Sequence, residues 1–230
     1  MSYKYILLDV DNTLLDFSFA EKNAHKITSE FFNILWNEEV YKYYHKINDA
    51  WWKRLERGEY TRDEITINRF KEYFKYLNVN VDPNLFNKTF LSNLALGKKT
   101  IDGANYLVKA LYDSGFKLYI ATNGITNVQQ NRLSGQEFIK YITDIFVSED
   151  LKAQKPSKLF FENASKKTGL IFNHQTTLII GDSLTSDILG GNNAGIDTMW
   201  FNPNNLENTI GVKINYIVKS LYEIPNILIK

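Results

Sequence analysis

Aspartates stand in close pairs at two places in this sequence. The first pair lies in Asp9-Val10-Asp11-Asn12-Thr13, and the second is Asp182 of Gly181-Asp182 with Asp187 five residues on. Between them in the chain, Thr122-Asn123-Gly124 supplies a hydroxyl and Lys155-Pro156 an amine. Four carboxylates gathered and buried at one edge repel one another and resist ionising together unless a cation joins them. A hard divalent ion with oxygen ligands meets that need, and Mg²⁺ held by a few carboxylates is the usual form. A lysine and a helix amino terminus nearby would bind a phosphate. Carboxylate, Mg²⁺ and lysine around one phosphoryl group amount to a phosphoryl-transfer site. Any one of these aspartates alone reads equally well as a cap or turn residue. The chemical reading rests on Asp9, Asp11, Thr122, Lys155, Asp182 and Asp187 occurring in order.

Each stretch follows a short apolar run that reads as a buried strand. Residues 4–10, 117–121, 142–147, 177–180 and 198–201 are brief, rich in β-branched or aromatic side chains, and mostly end in Thr, Asn, Asp or Gly. Helix-length segments separate them. Residues 126–140 begin with a capping hydroxyl, residues 156–168 begin with proline and stop at Gly169, and residues 185–194 end before Gly195. Leu107, Ala110 and Leu111 mark another helix closed by Gly115, and residues 215–218 read as an edge strand. Strands alternating with such helices imply right-handed βαβ units, hence an α/β fold with a doubly wound parallel sheet. Such sheets bind ligands beyond the carboxyl ends of their strands, where the chemical residues lie.

Residues 15–98 break the alternation. They read as several helices with apolar faces, such as Phe31, Phe32 and Leu35, and Ile67, Phe70, Phe74 and Leu77. The expected layout is therefore a core of residues 1–14 and 99–230 with an all-helical insertion over 15–98. The insertion holds about half of the chain's aromatic residues in about a third of its length. Packing in a small helical bundle accounts for them, and so would a lid against a flat ligand.

Composition removes several function classes. The chain has 230 residues, 44% of them hydrophobic, with 27 basic and 26 acidic side chains. Neither charge dominates, which argues against a general nucleic-acid or polybasic membrane binder. No apolar run approaches the ~18 residues of a membrane-spanning helix. The apolar stretch Tyr5-Ile6-Leu7-Leu8 is cut short by Asp9, which does not suit a secretory signal. Cysteine is absent, so disulfides and thiolate metal sites are excluded. His25, His45 and His174 share no metal-ligand spacing and read as surface or packing residues. A cytoplasmic location is expected, with a small-molecule partner, no nucleic acid or membrane, and a monomeric or homodimeric state.

The ordered motifs resemble those of the haloacid dehalogenase (HAD) superfamily of aspartate-dependent phosphohydrolases over nearly the whole chain. The resemblance implies a Rossmann-like core with residues 15–98 as a type 1 cap. More particular strings are similar to the pyrimidine 5′-nucleotidase branch: Thr122-Asn123-Gly124 with Val128-Gln129-Gln130 and Arg132-Leu133, Ser148-Glu149, and Asp187-Ile188-Leu189-Gly190-Gly191 through Asn193-Ala194-Gly195. The fragments from Trp51 to Gly58 and at Arg69-Phe70 resemble it too, and the N-acylneuraminate-9-phosphatases share much of the pattern. Carried over by position, Asp9 is implied to be the nucleophile and Asp11 the general acid and base. Asp9, Asp11 (through its backbone carbonyl), Asp182 and Asp187 are implied Mg²⁺-site residues, with Asp187 alternatively orienting Lys155. Thr122 and Asn123 would hold phosphate oxygens and Lys155 would neutralise charge. Asn123, Gly124 and Arg69 are substrate-binding candidates, although Arg69 reads equally as a helix salt-bridge or stem-packing residue.

Three functions compete on these residues. A Mg²⁺-dependent phosphomonoesterase acting on a pyrimidine nucleoside 5′-monophosphate fits best, with a sugar phosphate or N-acylneuraminate 9-phosphate as the alternative substrate. A haloacid dehalogenase would need the nucleophilic Asp but neither Asp11 nor Asp182. A phosphorylation-switched receiver module would join Asp, Mg²⁺, Thr and Lys on a similar sheet, but would not carry an acid placed for turnover.

Overall fold

The computed structural model describes residues 3–229. The chain forms two compact units, Met1–Asp16 with Lys98–Lys230, and Phe17–Gly97. The first strand, β1 (Tyr5–Leu8), precedes the helical unit of α1 (Phe17–Phe31), α2 (Glu38–Glu56), α3 (Arg62–Leu77) and α4 (Pro83–Leu94). The rest of the chain runs α5 (Ala104–Asp113), β2 (Lys117–Thr122), α6 (Thr126–Leu133), β3 (Asp144–Val147), α7 (Ser148–Leu151), α8 (Lys158–Thr168) and β4 (Thr177–Gly181). It closes with α9 (Leu189–Ala194), β5 (Asp197–Phe201), β6 (Tyr216–Val218) and α10 (Ile224–Leu228).

The six strands are parallel in the order β3-β2-β1-β4-β5-β6. This is the doubly wound order, and winding reverses between β1 and β4, the position beyond whose carboxyl ends such sheets take ligands. Side chains alternate between two apolar layers, as a strand repeat of two requires. Ile6 and Leu8 join Leu118, Ile120, Leu178 and Ile180 against Leu107, Leu111 and Phe138 on one face. Leu7, Tyr119, Ala121 and Ile179 meet Phe160, Phe161 and Ala164 on the other. Burial on both faces explains why these strands read as continuous apolar runs.

Three helices differ from the sequence expectation. The segment 126–140 is two pieces: α6 stops at Leu133, Gly135 takes φ 79°, and a 3₁₀ turn, Glu137–Tyr141, follows. Proline does not start α8, because Ser157 caps it one residue later by accepting from the Leu159 N–H at 3.3 Å. A π turn, Leu184–Ile188, precedes α9.

In the helical unit α1 packs on α4, and α3 on both α2 and α4. Tyr44, Phe70, Tyr73, Phe86 and Phe90 form its interior, with Tyr44 stacked on Phe70 at 5.5 Å and Phe70 against Phe86 at 4.8 Å. Phe31 and Leu35 are exposed rather than part of an apolar face. The reason is local: α1 ends at Phe31 and Asn33 turns the chain at φ 55°, so the two do not share a helix. His25 is a core residue, stacked 4.2 Å from Tyr44 and accepting from the Trp36 indole at 3.0 Å. His45 pairs with the buried Glu21 at 2.7 Å, and His174 is exposed. Among the described residues no helix is long and apolar enough to cross a membrane.

Candidate active site

Asp9 leaves β1 tied to β4 by its N–H, which donates to the Ile180 carbonyl at 3.0 Å. The chain then folds tightly: Thr13, Leu14 and Leu15 all donate to the Val10 carbonyl, at 3.3, 2.9 and 2.8 Å. Asn12 takes φ 59° within that turn, a conformation asparagine tolerates better than most residues. At the end of β4, Asp182 is fixed by the Trp200 indole, which donates to its carbonyl at 2.8 Å. Asp187 folds back through the π turn and accepts from the Ser183 N–H at 3.1 Å. A Cβ on Gly181 would lie 2.2 Å from the Asp187 carboxyl carbon, so this position must be glycine for Asp187 to enter. The carboxylates of Asp9, Asp182 and Asp187 each bring one oxygen within 4.8 Å of the others.

Lys155 is the cation among them. Its Nζ donates to Asp9 Oδ1 at 2.8 Å, Asp187 Oδ1 at 2.6 Å and the Ala121 carbonyl at 2.6 Å. Burial pulls its pKa down, but Asp187 and Asp9 outweigh burial and raise it, so the ammonium stays charged. One lysine does not balance three carboxylates. Burial and then Asp187 push Asp9 up to about 7, against the pull of Lys155. Burial, Asp9 and Asp187 raise Asp182 well above the usual carboxylate range. Clustered hard oxygens that resist ionising without more positive charge are a donor set suited to a divalent cation such as Mg²⁺.

Asn123 serves the lysine loop. Its side chain donates to the Lys155 carbonyl at 2.8 Å and accepts from the Lys155 N–H at 2.9 Å, clamping the loop at both polar groups. Thr122 is buried at the end of β2, and its Oγ1 accepts from the Gly124 N–H at 3.0 Å.

The Asp11 carboxylate does not join the other three. It is held by Gln129 Nε2 at 2.6 Å and by an ion pair to Arg132. Gln129 and Arg132 are both buried on α6. In the sequence both fall within the family-like string and carry no role of their own. Their signal was present all the same: two polar residues three apart, one helical turn after Thr122-Asn123-Gly124.

Arg69, a substrate-binding candidate in the sequence, is engaged within the helical unit. It is buried in the helical unit, where its guanidinium donates to Asn48 Oδ1 at 2.6 Å, Asn87 Oδ1 at 2.9 Å and the Thr66 carbonyl at 3.2 Å. The same group lies 4.7 Å from the Phe70 ring centre. A guanidinium so committed is a packing residue, in line with the stem-packing alternative.

Aspartates at the ends of β1 and β4 thus meet one lysine at the carboxyl edge of a doubly wound sheet. Residues 6–201 match the family of haloacid dehalogenase-like hydrolases, and the chain belongs to that family and is an enzyme. It is 38% identical over its whole length to the pyrimidine 5′-nucleotidase PynA of Streptococcus pneumoniae, covering 97% of that protein. It is 30% identical to the pyrimidine 5′-nucleotidase YjjG of Escherichia coli, with both chains fully covered. The crystal structure of the HAD-hydrolase YfnB of Bacillus subtilis, bound to magnesium, superposes with a TM-score of 0.93 at 38% identity over all of both chains.

Proposed function

We propose that this enzyme is a Mg²⁺-dependent phosphomonoesterase that hydrolyses pyrimidine nucleoside 5′-monophosphates through a phosphoryl group carried on Asp9. The observation that carries the reading is the buried Asp9 carboxylate, bound by Lys155 and crowded by Asp182 and Asp187. Full-length likeness to two pyrimidine 5′-nucleotidases supports the substrate class.

In this reading an Asp9 oxygen attacks phosphorus, the ester P–O bond breaks, and Asp11 gives a proton to the leaving oxygen. Water then attacks phosphorus, Asp11 takes its proton, and the Asp9–phosphorus bond breaks to release inorganic phosphate. Lys155 holds Asp9 in place and offsets negative charge there. Thr122 and the Asn123 backbone N–H bind phosphoryl oxygens, while the Asn123 side chain fixes Lys155. Asp9, the Asp11 carbonyl and Asp182 would hold the Mg²⁺, with Asp187 supporting them through Lys155. Bound there, Mg²⁺ supplies the positive charge that the cluster lacks and polarises the phosphoryl group. Catalysis is assigned to the sheet unit, residues 1–14 and 99–230, and residues 15–98 are read as a cap that selects the leaving group. A cytoplasmic enzyme, monomeric or homodimeric, completes the proposal.

The test is a panel of phosphomonoesters assayed with Mg²⁺ and with chelator. UMP, dUMP and dTMP should exceed sugar phosphates in kcat/KM, and activity should vanish in chelator and return with Mg²⁺. A clear preference for a sugar phosphate or N-acylneuraminate 9-phosphate would overturn the nucleotide assignment, and full activity without metal would overturn the phosphatase mechanism.

A further inference from the structure

Asp11, Thr122 and Gly124 come from two strand ends, and one helix joins them. Gln129 Nε2 donates to Asp11 Oδ2 at 2.6 Å and to Thr122 Oγ1 at 3.0 Å, so the two hydrogens of one amide link the carboxylate to the hydroxyl. Gln129 Oε1 faces Arg132 NH1 at 3.4 Å, and the same NH1 pairs with Asp11 Oδ1. A guanidinium only donates and a carboxylate only accepts, so the Gln129 amide has one permitted orientation between them. Flipping it would turn its oxygen on the carboxylate and its NH₂ on the guanidinium.

The consequence reaches Thr122. Its oxygen accepts from Gln129 Nε2 and from the Gly124 N–H, each at 3.0 Å. With both acceptor positions filled, the hydroxyl hydrogen is directed outward as a donor, the polarity a phosphoryl oxygen needs. Gly124 makes room for this arrangement, since a Cβ there would lie 2.1 Å from Gln129 Nε2.

We propose that Arg132 and Gln129 are positioning residues that set Asp11 and the Thr122 hydroxyl as one oriented pair, an inference that rests on the acid–base reading of Asp11. The competing account is that Asp11 merely balances a buried arginine. That account predicts a loss of stability with both chemical steps lowered alike. Positioning predicts that the steps separate.

The experiment is pre-steady-state hydrolysis of p-nitrophenyl phosphate and of UMP with Mg²⁺ by Gln129→Leu, Arg132→Met and, alongside, Asp11→Asn. p-Nitrophenolate needs little protonation to leave, so phosphorylation of Asp9 persists while hydrolysis of the intermediate slows. Both positioning variants should give a burst of one p-nitrophenolate per site, larger than the native enzyme's. Steady-state turnover should then fall by about 10–100-fold, the usual scale for a residue that orients a catalytic group. KM should move by less than about threefold, and UMP should show the larger loss in kcat and no burst. Native kinetics in Gln129→Leu and Arg132→Met, or equal losses in both steps without a burst, would overturn the inference provided that Asp11→Asn shows the burst. If Asp11→Asn itself keeps native turnover, the acid–base reading fails first. Should Arg132→Met not fold, Arg132→Lys keeps the charge without the planar fork and is judged with Gln129→Leu by the same burst.

Discussion

Asp9 and Asp11 stand two residues apart in different surroundings. Asp9 is buried, crowded by carboxylates, bound by Lys155 and pushed up to about 7, whereas Asp11 faces Gln129 and Arg132 at a partly open position. Two carboxylates in contrasting environments are how one fold separates a nucleophile from an acid–base group. Asp9→Asn should therefore abolish turnover with no phospho-enzyme formed, as read by phosphate release and intact mass. Asp11→Asn should lower kcat on UMP by about 10²–10⁴, the range for lost general acid–base help. Wild-type activity in Asp9→Asn would remove the nucleophile from the mechanism. The types and order of Asp9, Asp11, Thr122, Lys155, Asp182 and Asp187 were legible because strand ends are where such a sheet builds its site. Gln129 and Arg132 were visible as two polar residues after Thr122-Asn123-Gly124, but their pairing with Asp11 was not legible. Arg132 lies 121 residues further along the chain, and only the packing of α6 brings it back. Arg69 carried two readings in sequence, substrate binding and stem packing, because a lone arginine in an aromatic bundle does not show its partners; its contacts with Asn48 and Asn87 suit the second.

Elements place these groups through close approaches that allow no extra atom. Gly124 and Gly181 both sit where a Cβ would overlap a functional side chain, but the obstacles differ. At Gly124 the clash runs along Gln129 from Nε2 at 2.1 Å to Cγ at 2.6 Å, while at Gly181 it reaches the Asp187 Cβ at 2.6 Å on a shorter side chain. Gly124→Ala should lose activity as Gln129 is displaced, with a smaller loss of stability because the longer side chain has more bonds about which to turn away. Gly181→Ala should lose both, at about 1–3 kcal/mol for the forced overlap. Thermal melts beside kcat would separate the two, and equal melting temperatures would contradict the difference. The strands were readable because they are buried on both faces. The break of 126–140 at Gly135 and the π turn before α9 were not, since both are set by where side chains must point.

The helical unit carries its own pH signature. Burial, with Arg69 adding, lowers His25 from the ordinary 6.5 to about 3. Between those values the unfolded chain binds a proton that the folded chain refuses. Stability is therefore full above pH 6.5 and falls on acidification by about 1.4 kcal/mol per pH unit. His45, raised by its bond to Glu21, contributes in the opposite sense, but it is half-exposed and its effect is small. Trp36, Trp51 and Trp52 lie in this unit and only Trp200 outside it, so tryptophan fluorescence reports mainly on its unfolding. From pH 7.5 to 5 the native protein should lose about 2 kcal/mol at this site. His25→Gln should lack that component, and the same acid sensitivity in both proteins would contradict a buried neutral His25.

At the scale of the molecule, one sheet unit is interrupted by one helical unit. The chain leaves the sheet unit after Asp16 and re-enters at Lys98. The two passages are joined where they meet, the Asp16 N–H donating to the Lys99 carbonyl at 2.8 Å and Lys99 Nζ to Asp16 at 2.9 Å. In sequence the insertion shows as a loss of strand–helix alternation, with expected seams at 14/15 and 98/99. The substrate was not visible in sequence, because no motif fixes the side chains that would read a leaving group. The chemistry of the sheet unit is the central claim. Borohydride added during turnover of UMP with Mg²⁺ should reduce an acyl phosphate, and mass spectrometry of the peptide spanning Asp9 should then show homoserine at that position. Unmodified Asp9 under turnover, or the same modification without substrate, would contradict a phosphoryl group carried on this residue.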